Sequence, residues 1–156
     1  MNKNDFDIII INGPNLNLIG NREVSIYGKV DIEEFNEELI RIASFQDIKL
    51  KIFQSNSEEK IINAIHDLAT SSCKYIIANL AAYTHTSIAI RDALIAINIP
   101  VIEVHISNVF KRENFRHISY ISDISHGIIV GFGLDSYKIA LNQIIYEIKK
   151  ETKNGY

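Results

Sequence analysis

The sequence contains a single cysteine and no excess of basic residues. Cys73 has no second thiol in the chain with which to form an internal disulfide. The 16 Lys and Arg residues are outnumbered by 19 Asp and Glu, for a net charge of −3, so no positive excess exists to neutralise nucleic-acid phosphates. We therefore expect a protein of the reducing, cytoplasmic compartment that does not bind nucleic acid.

Long hydrophobic runs are also missing. Apolar runs such as residues 8–11 are far shorter than the about 20 residues that span a bilayer. Residues 1–7 carry charge where a signal peptide needs an apolar core. With 156 residues, 47% of them hydrophobic, and no Ser/Gly-rich linker or repeat, the chain is expected to form one domain over residues 1–156, without a membrane segment.

Five short apolar runs predict the strands of a sheet. The first run is continuously β-branched and does not alternate with polar residues, which is typical of a parallel strand covered on both faces. Because segments with helical periodicity separate the runs, we expect a three-layer α/β domain, flavodoxin-like, with a five-stranded parallel sheet and helices on both faces. The predicted strands are residues 7–12, 51–54, 75–79, 100–104 and 127–131.

The predicted helices begin at polar capping residues. Apolar side chains recur at helical spacing after Asp31, after the pair Ser55 and Glu58, and over about 135–152. Residues 86–98 also favour a helix, but that helix is apolar nearly all round. Such a helix needs cover on two sides, so we expect the chain to associate with copies of itself.

Polar side chains gather where three of the predicted strands end. In open parallel sheets, ligands bind beyond the carboxyl ends of the strands. The first strand is followed by the long segment 12–28, of which about 16–28 is expected to act as a lid loop. Residues 79–87 follow the third strand and 105–108 the fourth, with Arg116 further on. These loops are the candidate site.

Two pairs of residues in these loops suggest proton transfer. Glu103 and His105 lie two apart on one strand and so share a face, where the carboxylate can orient the imidazole as a proton donor. Arg22 could help to ionise Tyr27. Because a free tyrosine has a pKa of about 10, keeping it ionised near neutral pH requires about 4 kcal/mol of stabilisation from the site. From the residues alone, a packed loop tyrosine and a solvated arginine explain the second pair more simply, and the asparagines near Asn15 can be turn formers.

Other site types are disfavoured by the motifs that the chain does not contain. No histidine pair has convincing metal-ligand spacing, and Cys73 lacks ligand partners in the sequence, so no metal is expected. Nucleotide-binding glycine motifs and a G-x-S-x-G elbow are absent. A flavin-binding module and a receiver domain remain as alternatives, but the phosphate loop of the first and the clustered aspartates of the second are not found. Lys111 and Arg112 are expected to be solvated.

Five separated motifs resemble the type II 3-dehydroquinate dehydratases, and together they cover nearly the whole chain in the family's order. The resemblance implies a flavodoxin-like enzyme, a hydro-lyase that reversibly converts 3-dehydroquinate to 3-dehydroshikimate in the shikimate pathway to aromatic amino acids. It implies no cofactor, metal or Schiff base. The motifs are Asn12-Gly-Pro-Asn-Leu-Asn-Leu-Ile-Gly20 with Arg22-Glu23 and Tyr27-Gly28, Gln54-Ser-Asn56, Ala82-Tyr-Thr-His-Thr-Ser87, Glu103-Val-His-Ile-Ser-Asn108 with Phe115-Arg116, and Gly131-Phe-Gly133 with Tyr137.

The resemblance also implies a role for each matching residue. Tyr27 matches the base, with Arg22 favouring its ionised form, and Asn15 matches the residue that holds a water against the enolate oxygen. His105, oriented by Glu103, matches the acid that protonates the leaving hydroxyl. The matching substrate-binding residues are Asn79 with the amides of Ile106 and Ser107 for the carboxylate, His85 and Arg116 for hydroxyls, and Asp92 reaching the site of a neighbouring subunit. The family commonly forms dodecamers of four trimers.

One departure from the family pattern lies inside the expected site. Leu80 and Ala81 follow Asn79, where the family usually has Pro followed by Gly or Ala. A proline restricts the backbone before any ligand binds, so we expect the loop beside the carboxylate site to be less rigidly preset here.

Overall fold

The parallel sheet that the sequence predicts is present. The computed structural model describes residues 5–20 and 31–154. All strand pairs in it are parallel, in the order β2-β1-β3-β4-β5, which is the flavodoxin-like order. The predicted fold class is therefore confirmed. The strands are β1 (Ile8–Asn12), β2 (Leu50–Gln54), β3 (Tyr75–Asn79), β4 (Val101–His105) and β5 (Gly127–Val130).

Three α-helices of the described residues connect β1 to β2, β2 to β3 and β3 to β4, each capped by a short polar side chain, and a fourth follows β5. Asp31 caps the first helix by accepting from the Glu33 N–H. The second helix is capped by Ser57 and not, as predicted, by Ser55, whose hydroxyl accepts from the Ser57 N–H at 3.0 Å. The helices are α1 (Ile32–Ser44), α2 (Glu58–His66), α3 (Ile88–Ile97) and α4 (Asp135–Asn154).

Alternate residues of β1 enter two separate hydrophobic clusters. Ile8 and Ile10 pack with buried residues of α1 and α4 on one face of the sheet. Ile9 and Ile11 pack with residues of α2 and α3 on the other. All four side chains are at most 1% exposed. Because both faces of the strand are covered, no polar position is left along it, and this explains the continuous isoleucine run.

Two loops approach each other closely at the carboxyl edge of the sheet. The Gly13 N–H donates to the Asn79 carbonyl at 2.8 Å, just beyond the ends of β1 and β3. A Cβ atom on Gly13 would lie 2.2 Å from the carbonyl oxygen of Leu80, so only glycine fits. This contact brings the loop after β1 against the loop after β3, where the site is expected.

The apolar helix α3 keeps part of its surface exposed. Ile88 and Ile95 are 57% and 50% exposed, whereas Ile90 and Leu94 on the same helix are buried. Self-association through this face stays a prediction. None of the helices in the described residues is both long and apolar enough to cross a membrane.

We predict that Gly13→Ala destabilises the protein by about 2 kcal/mol or more, because the added Cβ forces two backbones apart. Gly127→Ala is the matched control, since a Cβ there meets nothing within 4 Å. Urea unfolding followed by circular dichroism measures both. Equal stability of the two variants would contradict the close approach.

Candidate active site

A small cavity opens at the carboxyl edge of the sheet, between the loops that follow β1, β3 and β4. Its volume is about 150 Å³, and Leu16 from the loop after β1 forms part of its wall. Most of the predicted substrate-binding residues lie here together with the predicted acid. The predicted residues that line it are Asn79, His85, His105, Ile106, Ser107 and Arg116.

His105 and Glu103 form a buried hydrogen-bonded pair beside the cavity. The two side chains lie on one face of β4, and the distance from His105 Nε2 to Glu103 Oε1 is 2.6 Å. Glu103 is 1% exposed and His105 6%. Because a carboxylate can only accept, Nε2 carries the proton of this bond, and Nδ1 is left for other partners. The expected pairing of these two residues is therefore present.

Glu103 is held in its ionised form. Burial alone would raise its pKa, but hydrogen bonds from His105, Ser122 and Ser119, together with attraction to His105, outweigh burial and lower the pKa below its usual value. The Ser119 hydroxyl donates to Oε1 at 2.8 Å, and the Ser122 hydroxyl donates to Oε2. An ionised carboxylate at this position can orient the imidazole and stabilise its protonated form.

His85 stands beside His105 in the cavity wall. The two rings are stacked, with centroids 6.2 Å apart and planes inclined by 17°. His85 Nδ1 donates to the Ile118 carbonyl at 2.7 Å, so its Nε2 is left as an acceptor when the ring is neutral. This ring can bind a substrate hydroxyl next to the acid.

Two arginines line the cavity, and both pair with Glu113. Arg116 donates through Nε to Glu113 at 2.9 Å, and its guanidinium lies 5.1 Å from the centre of the Phe115 ring. Arg112 also lines the cavity and donates to the Ser107 hydroxyl at 3.4 Å, although 42% of its side chain is exposed. The sequence had indicated only a solvated charge at Arg112, because the fold that turns it towards Ser107 cannot be read from spacing. Both groups can attract an anionic substrate.

Asn79 is oriented by a buried chain of hydrogen bonds. Its Nδ2 donates to the Tyr137 hydroxyl at 2.7 Å, and that hydroxyl donates to Asn12 Oδ1 at 2.7 Å. Burial raises the pKa of Tyr137 above its usual value, although the hydrogen bond from Asn79 acts in the opposite direction. Tyr137 is therefore a neutral donor that joins β1, β3 and α4. Asn79 Oδ1 accepts from the Ala81 N–H at 3.3 Å, which leaves the second amide hydrogen of Asn79 for a ligand.

The loop that follows Asn79 takes an unusual backbone path. Leu80 has φ −79°, which a proline could also adopt, and Ala81 has φ 50°, in the left-handed region that favours glycine. The side chain of Leu80 packs in the hydrophobic core, with 1% of the residue exposed. The buried leucine therefore anchors this turn in a chain that lacks the family's proline.

Asn15 lies at the same edge of the sheet as the cavity. Its φ of 68° is left-handed, and its N–H donates to Asn56 Oδ1 at 3.0 Å. Gln54 Nε2 also donates to Asn56 Oδ1, at 3.0 Å. Asn15 itself is exposed.

Of the predicted site residues that the structure describes, Asn15, Glu103 and Asp92 do not line this cavity. Asp92 is exposed on α3, so within one chain the structure does not bring it to the others. Arg22 and Tyr27, with residues 21–28 of the predicted lid, lie outside the described residues.

Two further observations bear on the type of site. Within residues 5–20 and 31–154, no three His, Cys, Asp or Glu side chains lie close enough to hold a metal ion. A larger cavity of about 590 Å³ lies at the opposite edge of the sheet, where Tyr75 begins β3. The smaller cavity is the better candidate because it lies at the carboxyl ends of the strands.

Comparisons with known proteins agree with this architecture. The family model "Dehydroquinase class II" matches residues 6–145. The chain belongs to the class II dehydroquinases. It is 54% identical over 142 residues to the 3-dehydroquinate dehydratase of Legionella pneumophila (strain Corby), covering 91% of this chain and 98% of that one. It is also 54% identical over 145 residues to that of Buchnera aphidicola subsp. Baizongia pistaciae, covering 93% and 94%.

Solved structures of type II dehydroquinases have the same fold. The enzyme from Butyrivibrio crossotus matches with a TM-score of 0.84 and 43% identity, covering 89% of this chain and 97% of that one. The enzyme from Propionibacterium acnes matches with a TM-score of 0.82 and 37% identity, covering 92% and 97%. The resemblance inferred from the motifs is confirmed. The chain is an enzyme of this family, which removes water from 3-dehydroquinate in the shikimate pathway.

We predict that Tyr137→Phe destabilises this dehydroquinase by about 1–3 kcal/mol, because buried groups of Asn12 and Asn79 lose their shared partner. Tyr146→Phe, on the exposed side of the same helix, is the matched control and should change stability by less than about 0.5 kcal/mol. Chemical denaturation measures both variants. A Tyr137→Phe protein as stable as its control would contradict the buried link.

Proposed function

We propose that the enzyme dehydrates 3-dehydroquinate through an enolate, with Tyr27 as the base and His105 as the acid. Tyr27, as a phenoxide, takes a proton from the carbon next to the ketone, and the electron pair of that C–H bond moves to form the enolate. The enolate then re-forms the ketone as the neighbouring C–O bond breaks. The protonated imidazole of His105 donates to the departing hydroxyl, which leaves as water, and the product is a conjugated enone.

The hydrogen-bonded pair of His105 and Glu103 is the observation that carries this proposal. An ionised carboxylate whose Oε1 lies 2.6 Å from Nε2 holds the imidazole in a fixed orientation. Nδ1 is then the atom that delivers the proton. The position of His105 in the cavity wall supports this role.

The remaining chemical steps are assigned from the motifs and from the described contacts. Arg22 keeps Tyr27 ionised by placing a positive charge beside the phenoxide, and it stabilises the transition state. Asn15 holds a water against the enolate oxygen. These assignments rest on the Arg22-Glu23 and Tyr27-Gly28 motif and on the position of Asn15 at the edge where the cavity opens.

The substrate carboxylate binds between Asn79 and the backbone amides of Ile106 and Ser107. The free amide hydrogen of Asn79 and the fixed end of β4 support this site: the His105 carbonyl accepts from Gly131 at 3.0 Å. The substrate hydroxyls bind His85 and Arg116, whose side chains line the same cavity.

The enzyme works as a single catalytic domain in the cytoplasm and as a homo-oligomer, a dodecamer built from trimers. Asp92 completes the site of a neighbouring subunit. The exposed Ile88 and Ile95 on the same helix support a subunit contact there. No cofactor or metal takes part in the proposed steps.

Purified protein mixed with 3-dehydroquinate alone should generate the ultraviolet absorbance of a conjugated enone. The reaction needs nothing else, because the proton donor and acceptor both come from the chain. A folded oligomer that gives no absorbance with fresh substrate would contradict the proposed function.

Tyr27→Phe and His105→Ala should each lower kcat by about 10²–10⁴-fold, since each removes a proton-transfer group. His66→Ala, an exposed histidine on α2, is the control and should keep normal turnover. Circular dichroism and size-exclusion chromatography establish that each variant is folded and assembled. Near-normal turnover in either test variant would remove that residue from its role.

A further inference from the structure

Two serines of one loop hold the carboxylate that orients the acid. We propose, on the basis of the function proposed above, that Ser119 and Ser122 are positioning residues that keep Glu103 ionised and correctly placed against His105. Neither serine lines the cavity, so each acts through Glu103.

The two serines complete the hydrogen bonding of a carboxylate that has no access to water. Oε1 accepts from His105 and, at 2.8 Å, from the Ser119 hydroxyl, while Oε2 accepts from Ser122. Glu103 is 1% exposed, so its carboxylate depends on donors from the protein. An ionised group left with an unpaired oxygen in such a place is strongly disfavoured. The hydroxyls therefore favour the charged form of the carboxylate directly.

The local backbone aims both hydroxyls at Glu103. Ser119 Oγ accepts from the N–H groups of Ile121 and Ser122, at 3.1 Å each, which closes a tight turn and leaves its single hydrogen for Glu103. Ile121 is fully buried and anchors this turn in the core. The Ser122 side chain takes no part in closing the turn, so its removal leaves the loop intact.

The same loop also contacts the wall of the active site. The Ile118 carbonyl accepts from His85, and the Tyr120 N–H donates to the Thr84 carbonyl at 2.9 Å. The same loop therefore does two things. It places the hydroxyls of Ser119 and Ser122 against Glu103, and it holds the His85 ring in the cavity wall.

The charged side chains of Arg112 and Arg116 line the same cavity as His105, whereas the donors to Glu103 are His105, Ser119 and Ser122. Of the described titratable groups, His105 is the one in contact with Glu103, and His85 stacks on His105. Asp123 follows Ser122, but its carboxylate is paired with Arg91. Removing the Ser122 hydroxyl should therefore act on Glu103 itself and make that carboxylate easier to protonate.

Ser122→Ala tests the proposal most cleanly, because Ser119→Ala would also remove an acceptor for two backbone groups. We expect kcat to fall about tenfold to a hundredfold with KM little changed. The acidic limb of the kcat profile should move to higher pH. Ser125→Ala is the matched control: its hydroxyl lies in the same loop and donates to the Ile121 carbonyl at 2.8 Å, without touching Glu103. Ser122→Thr keeps a hydroxyl and should restore most of the rate.

A second measurement does not depend on turnover. Carbon-13 NMR of the carboxyl groups should show that the pKa of Glu103 is higher in Ser122→Ala than in the wild type and unchanged in Ser125→Ala. If the wild type fails to turn over 3-dehydroquinate, the proposed function fails while this titration still decides the role of the serine. An unchanged Glu103 pKa, or an equal loss of rate in Ser125→Ala, would overturn the proposal.

Discussion

A buried negative charge in the middle of β4 is the constraint on which the active site depends. Glu103 is covered almost completely, yet its pKa is lowered because three donors surround it. The energetic cost of burying a carboxylate is offset only while those donors stay in place. His105 and the hydroxyls of Ser119 and Ser122 supply those donors.

The parallel sheet explains why groups far apart in sequence can meet at this charge. Each strand ends at the same edge, so the loops after β1, β3 and β4 converge there. Tyr137 ties this edge together, since its hydroxyl joins Asn12 to Asn79 across two neighbouring strands. The close approach of Gly13 to Leu80 adds a steric contact to this polar one. The cavity therefore lies where the strands β1 and β3 are joined by both a polar and a steric contact.

The sequence predicted those features that repeat with the period of a strand or that lie close along the chain. Continuous apolar runs predicted all five strands, and the two-residue spacing of Glu103 and His105 predicted their contact. The donors from Ser119 and Ser122 were not foreseen, because polar residues of a loop carry no periodic signal. The helix cap at Ser57 was missed in favour of Ser55, since both are serines two residues apart near one helix start. The contacts of Ser119 and Ser122 with Glu103 join residues 16 and 19 positions apart in the sequence, so they depend on tertiary folding.

The account depends on where the protons of the hydrogen bonds to Glu103 lie in the resting enzyme. Neutron diffraction from crystals grown near neutral pH in heavy water locates deuterium directly. We expect deuterium on His105 Nε2, in the short bond to Glu103, and on the hydroxyls of both serines, with none on the carboxylate. Deuterium bound to either oxygen of Glu103, or an Nε2 without deuterium, would contradict an ionised carboxylate that orients the acid.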